Sequence, residues 1–239
     1  MTKWSYPRVK TVGEDSVLIE FEEEVSPDIN RKVRELASGI ESHSLPGIME
    51  VVPAYRSLMV FFDPFVTDVK EIFKLIDTLS KDSAGIQVSK RRVFKIPTVY
   101  GNRFGPDLKR VSKLTRLPAA EVIRIFSSEA YLVYCLGFLC SLAYLGGVSK
   151  ILEVPRLSSP RPFVPAGSVG FSGSQANIVP IDQPSGFNYI GRTFVSVYNP
   201  EHFPPTLIQP GDYILCPSVS EDEARMAGER DLGDFVEDL

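Results

Sequence analysis

The chain has 239 residues and a formal net charge of −4, with 44% hydrophobic and 23% charged residues, which fits either one large domain or two of about 100 residues. The charge is uneven: Ser220 to Leu239 holds eight acids against two arginines, so the rest of the chain carries +2, and that balance excludes the basic footprint of a nucleic-acid-binding domain. The amino terminus, MTKWSYPRVK, lacks the apolar core of a signal peptide, so a cytoplasmic location is expected.

From Lys3 to Phe62 the pattern reads strand, strand, helix, strand, strand. YPRVKTVG and SVLIEFE alternate around a turn at Gly13 to Asp15, as a hairpin does. Ser26 followed by Pro27 marks a helix start, and Ile29, Val33, Leu36, Ala37 and Ile40 recur at helical spacing. IMEVVPAY and SLMVFFDP give a second hairpin, with Pro53 arguing for an edge position or a bulge. Thr67 or Asp68 caps a second helix whose apolar face is Val69, Ile72, Phe73, Leu75, Ile76 and Leu79. The order ββαββα predicts a two-layer α+β domain with an antiparallel sheet over residues 1–88. A boundary is expected near Ala84 to Arg92, where Lys90, Arg91 and Arg92 read as a solvated linker in preference to an anion contact.

Past the boundary, VFKIPTVYG is a strand, GPDLKRVSKLT a short helix entered through Pro106 and Asp107, and LPAAEVIRIF a second helix. Tyr131 to Val148 carries no charge and is long enough to span a membrane. Gly137, Gly146 and Gly147 interrupt it, and Ser141 and three tyrosines add polar groups, so it reads as buried strands around a glycine-marked turn. Short strands and glycine or proline turns up to Pro217 predict a barrel or sandwich over residues 89–219. Residues 220–239 are expected to form a short helix and then a frayed acidic tail. Cys135, Cys140 and Cys216 make no metal-like pair of pairs and read as reduced thiols.

Generic catalytic machinery is scarce. His43 and His202 are the only histidines, and neither stands beside an activated serine; no G-x-x-x-x-G-K loop and no zinc-ligand cluster occur. What remains is VPAGSVGFSGSQ, with Gly167, Gly170 and Gly173 at every third position and Ser168 among them. Free N–H groups there suit an anion or a developing oxyanion, but the same glycines suit a tight barrel corner, which spacing alone favours. Arg156 and Arg161 each follow a proline and suit either a bidentate contact to a carboxylate or phosphate, or the pinning of loops through backbone carbonyls. The Gln175 amide offers a donor and an acceptor to the N–C=O edge of a lactam or urea. Tyr144 is either a phenolic donor or a core filler. Arg192 and Asp182 complete the polar set, and a salt bridge between them would account for both.

YCLGFLCSLAYLGG, PRLSSPRPFVPAGSVGFSG, Gln175, SGFNYIGRT and the following PGD at Pro210 to Asp212 stand in one order. This series resembles the KipI family, the B component of prokaryotic ATP-dependent 5-oxoprolinase. It is similar to the C/D part of the carboxyltransferase domain of urea carboxylase, often labelled allophanate hydrolase subunit 1. The resemblance implies a cyclophilin-like β-barrel for the second domain. It also implies a subunit that opens 5-oxo-L-proline to L-glutamate with ATP used at the level of the complex, with no metal or organic cofactor in this chain. Its expected partners are a paralogous C-type (KipA-like) subunit and an A-type subunit, with self-association left open and neither nucleic acid nor membrane involved. Gln175 and Tyr144 would hold the amide, Arg161 and the amides of Gly167, Ser168, Gly170 and Gly173 would meet the oxyanion or phosphate, and Arg156 and Arg192 would hold a carboxylate or shape the site with Asp182.

The isolated chain is expected to be inert, its site completed at a subunit interface. Two alternatives follow from the same resemblance: a carboxyltransferase-like component of a urea carboxylase system, and a binding protein that inhibits a sensor histidine kinase. The chain departs from the usual pattern at Cys140, Ser141, Leu142 and Ala143, at Ala176 and Val179, and at Ser185 and Phe187, so the expected substrate is less constrained than the fold.

Overall fold

Period-two alternation in SVLIE and SLMVFF gives each strand one apolar face, and those faces found the first part of the structure. The computed structural model describes residues 7–81 and 91–238 and divides into two units, one up to Ser89 and one from Lys90. In the first, β1 (Arg8–Val12), β2 (Ser16–Glu20), β3 (Ile48–Pro53) and β4 (Ser57–Phe62) form an antiparallel sheet in the order β1-β2-β4-β3. Val17 pairs with Val60 and Ile19 with Leu58, all four buried.

α1 (Pro27–His43) starts at Ser26, whose hydroxyl accepts the Ile29 N–H, with Pro27 where its missing N–H costs nothing. α2 (Val69–Lys81) starts at Asp68, whose carboxylate accepts the Lys70 N–H at 2.9 Å, while Thr67 donates to Glu71. Ile29, Val33, Leu36 and Ile40 of α1 and Ile72, Leu75 and Ile76 of α2 share one core with the buried face of the sheet. The ββαββα order therefore stands, and Pro53 lies on an edge strand. Phe73 departs from the expected apolar face and is exposed.

The second unit contains β5 (Arg92–Lys95), β6 (Val99–Tyr100), α3 (Leu108–Thr115), α4 (Ala119–Ser128), β7 (Ala130–Gly137), β8 (Leu142–Gly146), β9 (Arg161–Val164), β10 (Ser168–Ser172), β11 (Gln175–Ile178), β12 (Gln183–Ser185), β13 (Asn188–Arg192), β14 (Tyr213–Leu215), α5 (Glu221–Ala227) and β15 (Val236–Asp238). Nine of these strands form one mixed sheet, β15-β5-β14-β7-β8-β11-β10-β13-β6, and β9 with β12 makes a separate antiparallel ribbon. β5 and β6 stand near opposite ends of that order, yet only Ile96, Pro97 and Thr98 separate them in the chain. The sheet is therefore curled. Phe94, Phe126, Tyr131, Leu145 and Phe171 fill it, with Phe126 stacked on Phe171 at 5.3 Å. The uncharged Tyr131 to Val148 run contains the β7–β8 hairpin, and no helix among the described residues is long and apolar enough to cross a membrane.

Two sequence expectations need correction. Up to Lys90 the proposed boundary stretch lies outside the described residues, but Arg92 is no solvated linker residue: it forks onto Asp212 at 3.0 and 2.7 Å and donates to the Leu207 carbonyl at 2.9 Å. The carboxyl-terminal segment is not frayed. After α5, which opens with a Ser220–Glu223 capping box, Leu232 and Phe235 enter the core and β15 pairs antiparallel with β5. Two apolar side chains and an otherwise open strand edge outweigh the charge of this stretch.

Candidate functional site

The β9–β12 ribbon contributes one strand to each of two small cavities, and these divide the polar residues singled out in the sequence. The first, about 140 Å³, is lined by Tyr144 of β8, Arg156, Asn177 of β11, Gln183 and Ser185 of β12 and Phe187, together with Phe138 and Leu142 of the β7–β8 hairpin. Alternation along β11 sends Ala176 and Ile178 into the core, leaving Asn177 on the opposite face. The Arg156 guanidinium lies over the Phe187 ring, 5.0 Å from its centroid, so the ring restrains an otherwise long and exposed side chain. Burial pushes the Tyr144 phenol above its ordinary range, and Arg156 pulls it partly back. At neutral pH Tyr144 is a hydrogen-bond donor and no base.

Asn177 and Gln183 are each only 4% exposed, and neither the Asn177 Oδ1 nor the Gln183 Oε1 atom has a hydrogen-bond partner among the described residues. Asn188 Oδ1 is also unpaired but does not line the cavity. Sequence inspection singled out neither Asn177 nor Gln183. A carboxamide at position 177 inside the otherwise apolar AxIV stretch was the available signal.

The second cavity, about 160 Å³, is lined by Arg103, Arg161, Ser168, Tyr189 and Arg192 among others. Its cations are engaged. Arg161 forks onto Asp107 at 2.8 and 2.5 Å, and Arg103 pairs with Glu221. Arg192 Nε donates to the Ala166 carbonyl at 2.9 Å, while Asp182 accepts the Ala166 N–H at 2.8 Å. In place of the expected Arg192–Asp182 salt bridge, both side chains hold one residue. The Ser168 hydroxyl donates to the Pro165 carbonyl at 2.6 Å. Tyr189 joins the two cavities, since it lines the second and its hydroxyl bonds to Ser185 at 2.8 Å and to Asn177 of the first.

The glycine ladder occupies corners and ladder positions. Gly167 has φ +78° and donates to Val179 O at 2.7 Å; a Cβ there would stand 2.1 Å from Thr193 O. Gly173, φ +55°, turns the β10–β11 hairpin and donates to Val154 O at 2.8 Å. Gly170 pairs with Asn177 and Tyr189, where a Cβ would meet Asn188 O at 2.4 Å. The free amide edge expected of the ladder is therefore absent at Gly167 and Gly173, because the corner uses those N–H groups itself. Gln175 opens β11 opposite Gly146 and Ser172 and lines neither cavity.

Among the described residues no group of three or more His, Cys, Asp or Glu side chains is placed to hold a metal ion. His202 lines a third, more open cavity of about 540 Å³ with Tyr198, Phe203 and Leu207. At the tip of the β7–β8 hairpin Phe138, Cys140 and Ser141 all adopt positive φ, of 54°, 47° and 57°. Three non-glycine residues in the left-handed region make this a strained tip, and Phe138 leads from it into the first cavity.

The curled nine-strand sheet with its ancillary ribbon, and the separate antiparallel sheet of the ββαββα unit, are consistent with a carboxyltransferase-like fold. The chain belongs to the family described as carboxyltransferase domain, subdomain C and D, whose profile matches residues 7–208. It is 37% identical over 228 residues to the B component of 5-oxoprolinase from Bacillus subtilis (strain 168), with 90% of this chain and 93% of that protein covered. It is 31% identical over 207 residues to the corresponding 5-oxoprolinase component of Escherichia coli O157:H7, covering 87% and 94%. The K. lactis urea amidolyase superposes with a TM-score of 0.76 at 20% identity, over 100% of this chain and 17% of that one, a likeness of fold. Leu142, Ser185 and Phe187 line the first cavity.

Proposed function

We propose that this chain is the B component of an ATP-dependent 5-oxoprolinase, which opens 5-oxo-L-proline to L-glutamate together with a C-type and an A-type subunit in the cytoplasm. The observation that carries the reading is the near end-to-end correspondence, at 37% identity, with the B component of a bacterial 5-oxoprolinase. The curled sheet is read as a cyclophilin-like barrel, since the short β5–β6 connection joins strands near opposite ends of the strand order. Fold alone carries no isomerase activity with it.

A lactam resists water at neutral pH, so phosphorylation of its oxygen by ATP and then attack of water is the chemical route. In the first cavity Tyr144 is suited to donate to the lactam carbonyl and Arg156 to hold the carboxylate. Among the described residues no carboxylate, histidine or lysine lines that cavity, and Ser185 is bonded to Tyr189 and not to a base. Nothing there activates a water molecule or a nucleophile. The phosphate donor and the base are therefore assigned to the partner subunits, and the isolated chain is inert.

The test is 5-oxoproline-dependent phosphate release from the chain alone and from its mixture with C-type and A-type partners. Release from the full mixture only is expected. Turnover by the isolated chain contradicts the reading, and biotin-dependent carboxylation of urea by the mixture replaces it with a urea carboxylase system.

A further inference from the structure

The three arginines that line the second cavity are engaged unequally. Arg161 spends its fork on Asp107 and Arg103 pairs with Glu221, so each of those cations meets a carboxylate. Among the described residues no carboxylate pairs with Arg192. Its Nε donates to the Ala166 carbonyl at 2.9 Å, and Asp182, which holds the Ala166 N–H, makes no ion pair with it. The Phe194 ring, outside the cavity lining, backs the guanidinium with its centroid 5.6 Å away. The two Nη groups have no partner among the described residues and are not sealed from solvent, so both remain open to an acceptor. Most of the remaining lining is apolar, with Phe104, Pro106, Val164 and Pro165 inside and Phe163, 60% exposed, at the rim.

We propose that the second cavity binds a small monocarboxylate with an apolar body, the carboxylate on the Arg192 Nη groups and the body against Phe104 and Phe163. A planar guanidinium with two open Nη groups matches a carboxylate fork. One unmatched cation calls for one negative charge, and a dianion would bring a second charge to arginines already paired. The volume, about 160 Å³, sets the size of the body. A cavity of about 150 Å³ admits benzene, so one phenyl ring or a short branched chain fills this one. A polar ring such as that of 5-oxoproline would turn its amide toward phenyl rings and prolines and lose its water without replacement. An acidic side chain of another protein would satisfy Arg192 and leave the apolar part empty. The site is separate from the cavity of Tyr144 and Arg156, and its argument does not rest on the function proposed above.

The experiment is equilibrium binding of phenylacetate, 4-methylpentanoate, acetate, phenylacetamide and 5-oxoproline to the full chain, followed by calorimetry. Phenylacetate or 4-methylpentanoate is expected to bind at least about tenfold more tightly than acetate, which lacks the body, and than phenylacetamide, which lacks the charge. Arg192→Gln keeps an N–H donor for the Ala166 carbonyl and is expected to bring phenylacetate to within about twofold of phenylacetamide. Phe163→Ser, at an exposed position, is expected to narrow the gap between phenylacetate and acetate by at least about threefold, and keeps the test decisive if Arg192→Gln fails to fold. No binding of either apolar carboxylate, a preference for carboxylate over amide that survives Arg192→Gln, or a gap to acetate that survives Phe163→Ser overturns the assignment. Binding of 5-oxoproline as tight as that of phenylacetate, with the same dependence on Arg192, overturns it too and moves the substrate into this cavity. Binding as expected, alongside an assembled complex that does not turn over 5-oxoproline, sinks the proposed function and supports this site.

Discussion

Arg161 closes a two-point fork on Asp107, Nη1 to Oδ2 at 2.8 Å and Nη2 to Oδ1 at 2.5 Å, and the same carboxylate accepts the Tyr189 N–H at 2.8 Å. One carboxyl group thus ties the entry of α3 to β9 and β13. The Asp107 side chain is 4% exposed and that of Arg161 33%, so Asp107→Ala strands a cation and a backbone N–H that are partly out of water. A loss of about 3 kcal/mol in unfolding free energy is expected, at the low end for a broken buried pair because Arg161 reaches solvent. Urea denaturation checks it. Arg161→Lys keeps the charge but not the fork, and is expected to lower stability while leaving turnover of the assembled complex within about threefold. A larger fall in turnover without a stability change would return Arg161 to the chemistry.

Gly167 and Gly173 look alike in sequence and differ in space. Both have positive φ, but a Cβ on Gly167 would stand 2.1 Å from Thr193 O, whereas Gly173 faces open space. Gly173→Ala is expected to cost about 1–2 kcal/mol, the left-handed penalty alone. Gly167→Ala meets backbone as well and should cost more than about 3 kcal/mol, or prevent folding. Thermal unfolding of the two variants under one condition separates them; equal losses would contradict a barrel-corner role for Gly167.

The period-two and helical patterns carried the first unit well, because each element there buries one face and turns the other to water. Ser26 and Asp68 were readable as caps for the same local reason. Two kinds of feature escaped. β15 pairs with β5 across more than a hundred residues, and an acidic VED stretch has no local mark of an edge that will receive it. The site was legible in part: Tyr144 and Arg156 meet in one cavity, whereas Arg161 and Arg192 line another and Gln175 neither. Which polar residues share a cavity depends on the β9–β12 ribbon, whose pairing is non-local. Asn177 and Gln183 become conspicuous only when their oxygens are found without partners.

Burial raises the thiols of Cys135 and Cys216 from their ordinary value of 9 to about 12, whereas Cys140 is half-buried at the strained hairpin tip. Alkylation at neutral pH is expected to mark Cys140 alone, as intact-mass and peptide mass spectrometry would show. The linkage sign is also fixed. Below pH 9 the two buried thiols are protonated whether the chain is folded or unfolded, and they contribute no pH dependence. Between pH 9 and 12 the unfolded chain releases their protons while the folded chain retains them, so stability falls as pH rises. Cys216→Ala should flatten that decline between pH 9 and 10. An unchanged slope would show that the thiol titrates normally in the fold.

Tyr144 is the chain's own donor toward a substrate carbonyl in the proposed site, and burial keeps its phenol protonated above the ordinary value of 10 despite Arg156. Removing the hydroxyl in Tyr144→Phe withdraws one hydrogen bond from a desolvated oxygen, a loss of about 1–3 kcal/mol or roughly fivefold to 150-fold in kcat of the assembled complex. Because burial holds the phenol protonated through the neutral range, a basic limb that falls near neutral pH belongs to another group, supplied by a partner in the complex. The profile of Tyr144→Phe should therefore keep the shape of the wild type and shift downward as a whole. If the substitution instead abolished the basic limb, Tyr144 would be titrating in the reaction, and its role would change from a fixed hydrogen-bond donor to the acid of the mechanism.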